Sequence, residues 1–243
     1  MRLTRVYVAQ ALQSGMRCRI AGSAANHLLR VLRLGVGTAV TLFDGTGGEY
    51  AARIESVLKD AVVAEVGAHA ATERESSVHL TLAQGISRGE RMDWVIQKAT
   101  ELGVRRIVPL ITLRSVVRLD ARQAQRKLQH WSGISIAACE QCGRNRVPEL
   151  AAPLELREFL ADAASAATLA VVLAITASTR IRELDRRERI TLLVGPEGGL
   201  AEEERSAAIA AGFRPVQLGP RILRTETAAV AALAALQQAF GDL

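Results

Sequence analysis

The sequence predicts an α/β protein in two parts, a small β-rich module followed by a larger domain in which strands and helices alternate. Three observations carry this. Residues 1–72 are dominated by short apolar stretches punctuated by turn residues. From Val78 onward strand-like runs take turns with stretches of helical period, the pattern of a parallel sheet covered on both faces. Between the two lies a polar, Ala-rich segment, residues 67–77 with Glu73, Arg74 and Glu75, which reads as a linker. The domains are therefore drawn as 1–72 and 73–243.

In the first part, Val6-Tyr-Val opens as a strand and residues 24–33 have helical spacing. Residues 39–43 form a strand that runs into the tight turn at Asp44-Gly45, and residues 51–57 and 61–66 alternate as two more strands. In the second part, residues 78–83 are a strand. Residues 90–102 carry apolar side chains at Met92, Val95, Ile96, Ala99 and Leu102, one face of a helix. Strands follow at 106–110, 169–175, 190–194 and 215–218, and helices at 121–141, 154–164, 202–211 and 225–240. No repeat or low-complexity tract interrupts the order.

Composition narrows the function. Apolar residues are 49% and charged residues 23% of the 243, ordinary for a soluble globular chain. No charged and apolar leader opens the sequence, and the longest uncharged stretch, residues 163–179, is too short for a membrane span; a cytoplasmic protein with no membrane partner is expected. Charge is unevenly spread. Residues 1–43 contain six arginines and no acid, and residues 86–146 hold twelve Lys or Arg against five acids, whereas residues 147–243 hold ten against thirteen. Basic surface concentrated in the first 60% points to a polyanion, in the first instance nucleic acid. Cys139 and Cys142 form a C-x-x-C, but His130 is the only histidine near in sequence, so packing is preferred to a metal or redox site and no metal is expected. There is no P-loop, no H-E-x-x-H, and no Ser/His/Asp arrangement.

The chemistry is concentrated in two late stretches. Thr191-Leu-Leu-Val-Gly195-Pro196-Glu197-Gly198-Gly199-Leu200 and Leu218-Gly219-Pro220-Arg221-Ile222-Leu223-Arg224-Thr225-Glu226-Thr227 each end a strand in glycine and proline and then enter a helix. Glycine lets a ligand lie against bare backbone, and the C-terminal ends of strands are where α/β proteins hold ligands. Arg221, Arg224 and Glu226 stand at the mouth of that cradle, the makings of an enzyme.

With these stretches on the page, the chain resembles the RsmE family, small-subunit ribosomal RNA uridine-N3 methyltransferases of the SPOUT class. Asn26-His-Leu-Leu-Arg30-Val-Leu-Arg33 resembles the family's N-terminal PUA-like signature. Ser87-Arg88-Gly-Glu-Arg91-Met-Asp-Trp94 with Gln97-Lys98-Ala-Thr-Glu101-Leu-Gly103 resembles the entry to its catalytic domain, and Cys139-Glu-Gln-Cys-Gly-Arg144-Asn-Arg146-Val-Pro148 its central motif. Five motifs in the family's order span nearly the whole chain. The resemblance implies a C-terminal SPOUT domain threaded as a trefoil knot behind a PUA-like module, S-adenosyl-L-methionine as cofactor, a homodimer, and as substrate 16S rRNA in the 30S subunit, methylated at the uridine numbered 1498. It implies cofactor contacts at Leu173, Gly195, Pro196, Gly198, Gly199, Leu218, Gly219, Leu223 and Thr225. Two departures stand out: Ala201 and Glu204 keep only the acidic half of a capping box, and residues 174–178 are blander than in many relatives.

Methylating N3 of uracil requires removing an imide proton and holding the resulting charge on the flanking carbonyls. Arg224 and Arg221 can supply the cation; Glu197 and Glu226 are the candidate bases, each with an alternative role in holding a loop or a helix end, and an arginine-stabilised anion losing its proton to water needs neither. RNA contacts are expected from Arg2, Arg5, Arg30, Arg33, Arg88, Arg91, Arg144 and Arg146. With only eight aromatics in the chain, phosphate and shape contacts should outweigh base stacking. Two other readings stay open: a knotted methyltransferase acting on another RNA such as tRNA, and a ribosome-assembly RNA-binding factor without turnover.

Overall fold

The computed structural model describes residues 4–117, 119–162 and 168–243. It divides into two compact units: one reaches to Glu75 and also takes in Cys139–Val147, and the other comprises Ser76–Ala138 and Pro148–Leu243.

The first unit is a five-stranded sheet of β1 (Thr4–Tyr7), β2 (Arg17–Ala21), β3 (Ala39–Phe43), β4 (Glu49–Val57) and β5 (Ala61–Ala70), in the order β1-β3-β4-β5-β2. β1 pairs parallel with β3, and the other pairs are antiparallel. Along β2 the burial alternates strictly, Cys18 and Ile20 inward and Arg17 and Arg19 outward, the period-2 signature of a half-buried strand. Val6, Leu28, Val40, Leu42, Ile54 and Val62 fill the core. The helical spacing at 24–33 resolves into a short helix α1 (Gly22–Asn26) and a π-helical turn (His27–Val31). β5 runs on to Ala70, so part of the expected linker is paired with β4 instead.

Residues 139–147 belong with this unit because buried polar groups bind them there. Arg144 Nε and Nη2 donate to the two Glu75 carboxylate oxygens at 2.8 and 2.6 Å, with both side chains nearly inaccessible. Arg5 ion-pairs with Glu49 and donates to Asn145 Oδ1, while the Asn145 amide donates to Glu49 and to the Thr72 carbonyl. Glu140 accepts the Tyr7 N–H at 2.9 Å. A boundary drawn from composition after residue 72 does not foresee this return of the chain.

The second unit is a parallel sheet of β6 (His79–Gly85), β7 (Arg106–Ile111), β8 (Glu149–Leu150), β9 (Leu154–Glu155), β10 (Thr168–Leu173), β11 (Arg189–Val194) and β12 (Arg214–Val216), in the order β12-β10-β11-β6-β7-β8, with β9 also on β7. Its helices are α2 (Glu90–Glu101), α3 (Ala121–Cys142, whose last turn belongs to the first unit), α4 (Leu156–Asp162), α5 (Glu202–Ala210) and α6 (Thr225–Phe240). Successive residues of each strand serve opposite faces. Leu169, Val171, Ile190, Leu192 and Val194 pack with α2 and α6 residues such as Val95, Ile96, Leu233 and Leu236. Ala170, Val172 and Leu193 pack on the other side with Phe159 of α4, Ala208 of α5 and Phe213 just after α5. Burial on both faces explains why these strands read as unbroken apolar runs. The expected helix at 154–164 begins as strand β9 before α4; its residues 163 and 164 lie outside the described part.

Candidate active site

The glycine stretch after β11 forms a tight loop at the C-terminal end of the sheet. The Gly199 N–H closes a turn onto the Pro196 carbonyl at 2.9 Å. A Cβ on Gly195 would stand 2.8 Å from the Leu200 nitrogen, and Gly199 has φ +67°, so neither position takes a side chain without distortion. Three neighbours fix the loop. Thr225 Oγ1 donates to the Gly195 carbonyl at 2.6 Å, and the Gln84 amide donates to Thr225 Oγ1 at 3.1 Å and to Gly195 at 3.3 Å. Arg114 Nη1 donates to the Gly198 carbonyl at 3.0 Å. Glu204 accepts the N–H groups of Ala201 and Leu113, both at 2.8 Å, which shows how an acidic half-box suffices to cap α5 without a serine or threonine.

The second stretch leaves β12, passes Leu218 and Gly219, and enters α6 with Arg224 as its N-cap residue. Between the two loops opens a cleft of about 650 Å³. Leu173, Gly195, Pro196, Gly198, Gly199, Leu218, Gly219, Leu223 and Thr225 all line it, as do Glu197, Arg221, Arg224 and Glu226, so the structure brings together every residue singled out for cofactor or catalysis. Val194, Val216, Arg91 and Arg114 complete much of the wall. Arg91 and Arg114 are far from the glycine stretches in sequence, and no periodicity signals their arrival; nor does any signal Gln84, buried at the end of β6.

The charged groups are not equivalent. Glu197 accepts the Arg88 N–H at 2.9 Å and Arg91 Nη1 at 2.8 Å. Partial burial works against its charge, but these bonds and the Arg91 charge outweigh it and hold the carboxyl below the usual carboxylate range. Arg91 also faces Glu226 at 3.8 Å. The other Glu226 oxygen, Oε2, is buried without a hydrogen-bond partner, as is Oε1 of Gln84. Arg221 and Arg224 are exposed at the rim and ion-pair with none of the described residues.

The basic residues expected to meet RNA separate into groups. Arg30, Arg33 and Arg88 are exposed, and Arg146 is half exposed beside Glu73. Arg91 is held in the cleft wall by Glu197. Two expectations are corrected: the side chains of Arg5 and Arg144 are 6% and 3% exposed and are spent on Glu49 and Glu75, so they present nothing to a polyanion. Arg2 lies outside the described residues. Cys139 is buried, its thiol pushed up to about 12 by burial, and it donates to the Arg146 carbonyl; at neutral pH it is a packed thiol rather than a thiolate. Among the described residues no three His, Cys, Asp or Glu side chains converge as a metal site.

The chain is similar to known proteins over nearly its whole length. A family model described as RNA methyltransferase domain matches residues 74–237, and one described as RNA methyltransferase PUA domain matches residues 20–67. Ribosomal RNA small subunit methyltransferase E from Buchnera aphidicola subsp. Schizaphis graminum is 33% identical over 243 residues, covering 100% of this chain and 98% of the relative. The enzyme of the same name from Bacillus subtilis is 30% identical, covering 93% and 92%. Among solved structures, the ribosomal RNA small subunit methyltransferase E from Neisseria gonorrhoeae bound to S-adenosyl methionine matches with TM-score 0.92 and 39% identity over 100% of both chains. A methyltransferase from Legionella pneumophila in complex with the same cofactor matches with TM-score 0.96 and 41% identity, again over 100% of both.

Proposed function

This chain belongs to the ribosomal RNA small subunit methyltransferase E family, with a PUA-like N-terminal unit and a SPOUT-class catalytic unit, and from that premise we propose that it methylates N3 of a single uridine, the position numbered 1498, in 16S rRNA of the 30S subunit. It is an S-adenosylmethionine-dependent RNA methyltransferase. The observation that carries the finer reading is the pairing, on one rim, of two arginines without carboxylate partners and a buried glutamate oxygen without a donor.

The cleft fits the cofactor. Leu173, Val194, Val216, Leu218 and Leu223 offer an apolar wall for a flat base, and the bare Gly195–Gly199 backbone and Gly219 let a ligand approach main-chain N–H and C=O groups. When bound, S-adenosylmethionine supplies an electrophilic methyl group on a sulfonium. The remaining work falls to the chain's own side chains. Arg224, at the entry of α6, is the first choice to hold the negative charge that spreads over the uracil carbonyls, with Arg221 beside it. The Glu226 carboxylate, which lines the cleft, is the acceptor for the N3 proton. Glu197 is too strongly engaged by Arg88 and Arg91, and too weak a base, to take that proton; it holds the loop to α2.

Arg30, Arg33, Arg88 and Arg146 then serve the RNA backbone. The enzyme works in the cytoplasm, in keeping with the absence of any described helix long and apolar enough to cross a membrane. It works as a homodimer with each cleft completed near the interface; Ile222 on the cleft rim, 79% exposed, and Trp94 on α2, 41% exposed, are apolar surfaces suited to burial there. Incubation with S-adenosylmethionine labelled in the methyl group, offered 30S subunits lacking the modification or bulk tRNA, tests the substrate. Label entering the 30S RNA alone is expected; label in tRNA alone, or in neither, refutes it.

A further inference from the structure

All strands of the second unit start at one pole, and the cleft occupies the other. The starting pole is crowded with arginine. His79 at the head of β6 lies in register with Arg189 at the head of β11, and Arg105 Nη1 meets His79 Nε2 at 2.6 Å. The loop into β11 presents Arg186 and Arg187, both exposed like Arg189. Arg106 and Arg214, at the heads of β7 and β12, are matched by Glu149 at 3.2 Å and Asp185 at 3.8 Å. Arg105 is half-buried and spends Nη1 on His79 and Nη2 on the Ser76 carbonyl at 2.9 Å, which leaves Arg186, Arg187 and Arg189 exposed and without a carboxylate partner among the described residues, beside one further acid, Glu188.

Partial desolvation, and then the charges of Arg105 and Arg189, hold His79 below its ordinary range. The excess also stands out against the sequence around it, since residues 147–243 carry more acids than bases. Like charges gathered with so few counter-charges repel one another, and a polyanion relieves that repulsion.

We propose that the pole presenting Arg186, Arg187 and Arg189 is a second docking surface for the phosphate backbone of the RNA substrate, at the opposite end of the strands from the methyl-transfer cleft. The inference rests on the RNA-substrate reading above. Six residues of β11 separate the two poles, about 20 Å at ~3.3 Å per residue. The phosphates held here therefore belong to nucleotides well removed from the target base. They add affinity and orientation, not base identity.

The test compares wild type with Arg186→Ala/Arg187→Ala/Arg189→Ala, using Arg122→Ala/Arg126→Ala on α3 as a control that removes exposed charge elsewhere. Binding to naked 16S rRNA and to 30S subunits is measured from low to high salt, with S-adenosylmethionine affinity followed in parallel. The triple variant is expected to bind RNA at least tenfold more weakly at moderate salt. Its slope of log affinity against log salt should be shallower by about two to three, roughly one per lost phosphate contact, and cofactor affinity should not change. Unchanged RNA affinity and slope overturn the proposal, as does an equal loss in the control. A loss on 30S subunits but not on naked rRNA also overturns it, in favour of a ribosomal protein partner. If the wild type itself binds no RNA, the substrate reading fails first, and that outcome is distinct from all of these.

Discussion

Arg144→Ala should destabilise the first unit rather than weaken RNA binding, because the Arg144 guanidinium is buried against Glu75. Arg144 is 3% exposed and its fork meets Glu75, 7% exposed, at 2.8 and 2.6 Å. Burial alone would lower the guanidinium pKa, but the Glu75 bonds and charge outweigh it and raise it, as expected of a pair that holds its charges in a dry site. Removing one partner strands the other carboxylate in the interior, at a cost of about 3–5 kcal/mol. Urea denaturation of the first unit, followed by near-UV signal or by hydrogen exchange of β3 and β4, should show that loss as a lower midpoint with an unchanged slope. Arg144→Lys should recover little, because an ammonium cannot match the two-point geometry. The double variant Arg144→Met/Glu75→Leu should recover most of the stability, since no buried charge is left unpaired. A loss below about 1 kcal/mol in Arg144→Ala, together with a marked fall in RNA affinity, would show that the side chain faces the substrate and that the structural role assigned to it is wrong.

Three further outcomes follow from the same geometry. Gly195→Ala places a methyl against the Leu200 nitrogen, a backbone atom that cannot swing aside; calorimetry should show S-adenosylmethionine affinity reduced at least tenfold, and near-native affinity would remove the tight loop from the account. Arg224→Ala should lower kcat by two orders of magnitude or more with cofactor affinity within a few-fold of wild type; parallel losses in both would make Arg224 a binding residue. Glu140→Gln addresses pH. Burial raises the Glu140 carboxyl above its ordinary 4.5, against the Tyr7 hydrogen bond and the charges of His27 and Arg5. A raised folded pKa means that the native state holds the proton more tightly, so this group's contribution is present at low pH and lost as pH rises through the raised value. Glu140→Gln escapes that loss, and its stability relative to wild type should climb from about pH 4.5 upward before levelling off; a gap that narrows with rising pH contradicts the assignment.

Much of this protein was legible from sequence where burial is one- or two-sided and local. The parallel strands showed as apolar runs because both faces are covered, and α6 showed in full because Thr225 to Phe240 is an uninterrupted run of strong helix formers, chiefly Ala, Leu and Gln, that ends at Gly241. The cleft was legible because both its loops are short, glycine-marked and contiguous. Contacts made by distant chain were not. Nothing near Arg91 announces Glu197, more than a hundred residues on, and nothing in Cys139–Val147 announces that Arg144 and Asn145 will be consumed by Glu75 and Glu49. A run of arginines looks alike whether each side chain faces solvent or a buried carboxylate, and so Arg5 and Arg144 were read as surface. The pole at Arg186–Arg189 was overlooked for the complementary reason: the average charge of the C-terminal stretch is acidic, and only the sheet collects its arginines in one place. Strands β8 and β9, two residues each, are too short for a period to be read, and β2 escaped notice although its five residues alternate.

On the proposed reading, the cleft directs a methyl group from S-adenosylmethionine to N3 of one uridine. Mass spectrometry of nucleosides and of nuclease fragments from 30S subunits treated with the enzyme tests it most directly. One new methyl group is expected, recovered as 3-methyluridine from the fragment containing position 1498, and none with Arg224→Ala at matched cofactor saturation. A methyl group on another atom, another nucleotide or several sites would contradict it.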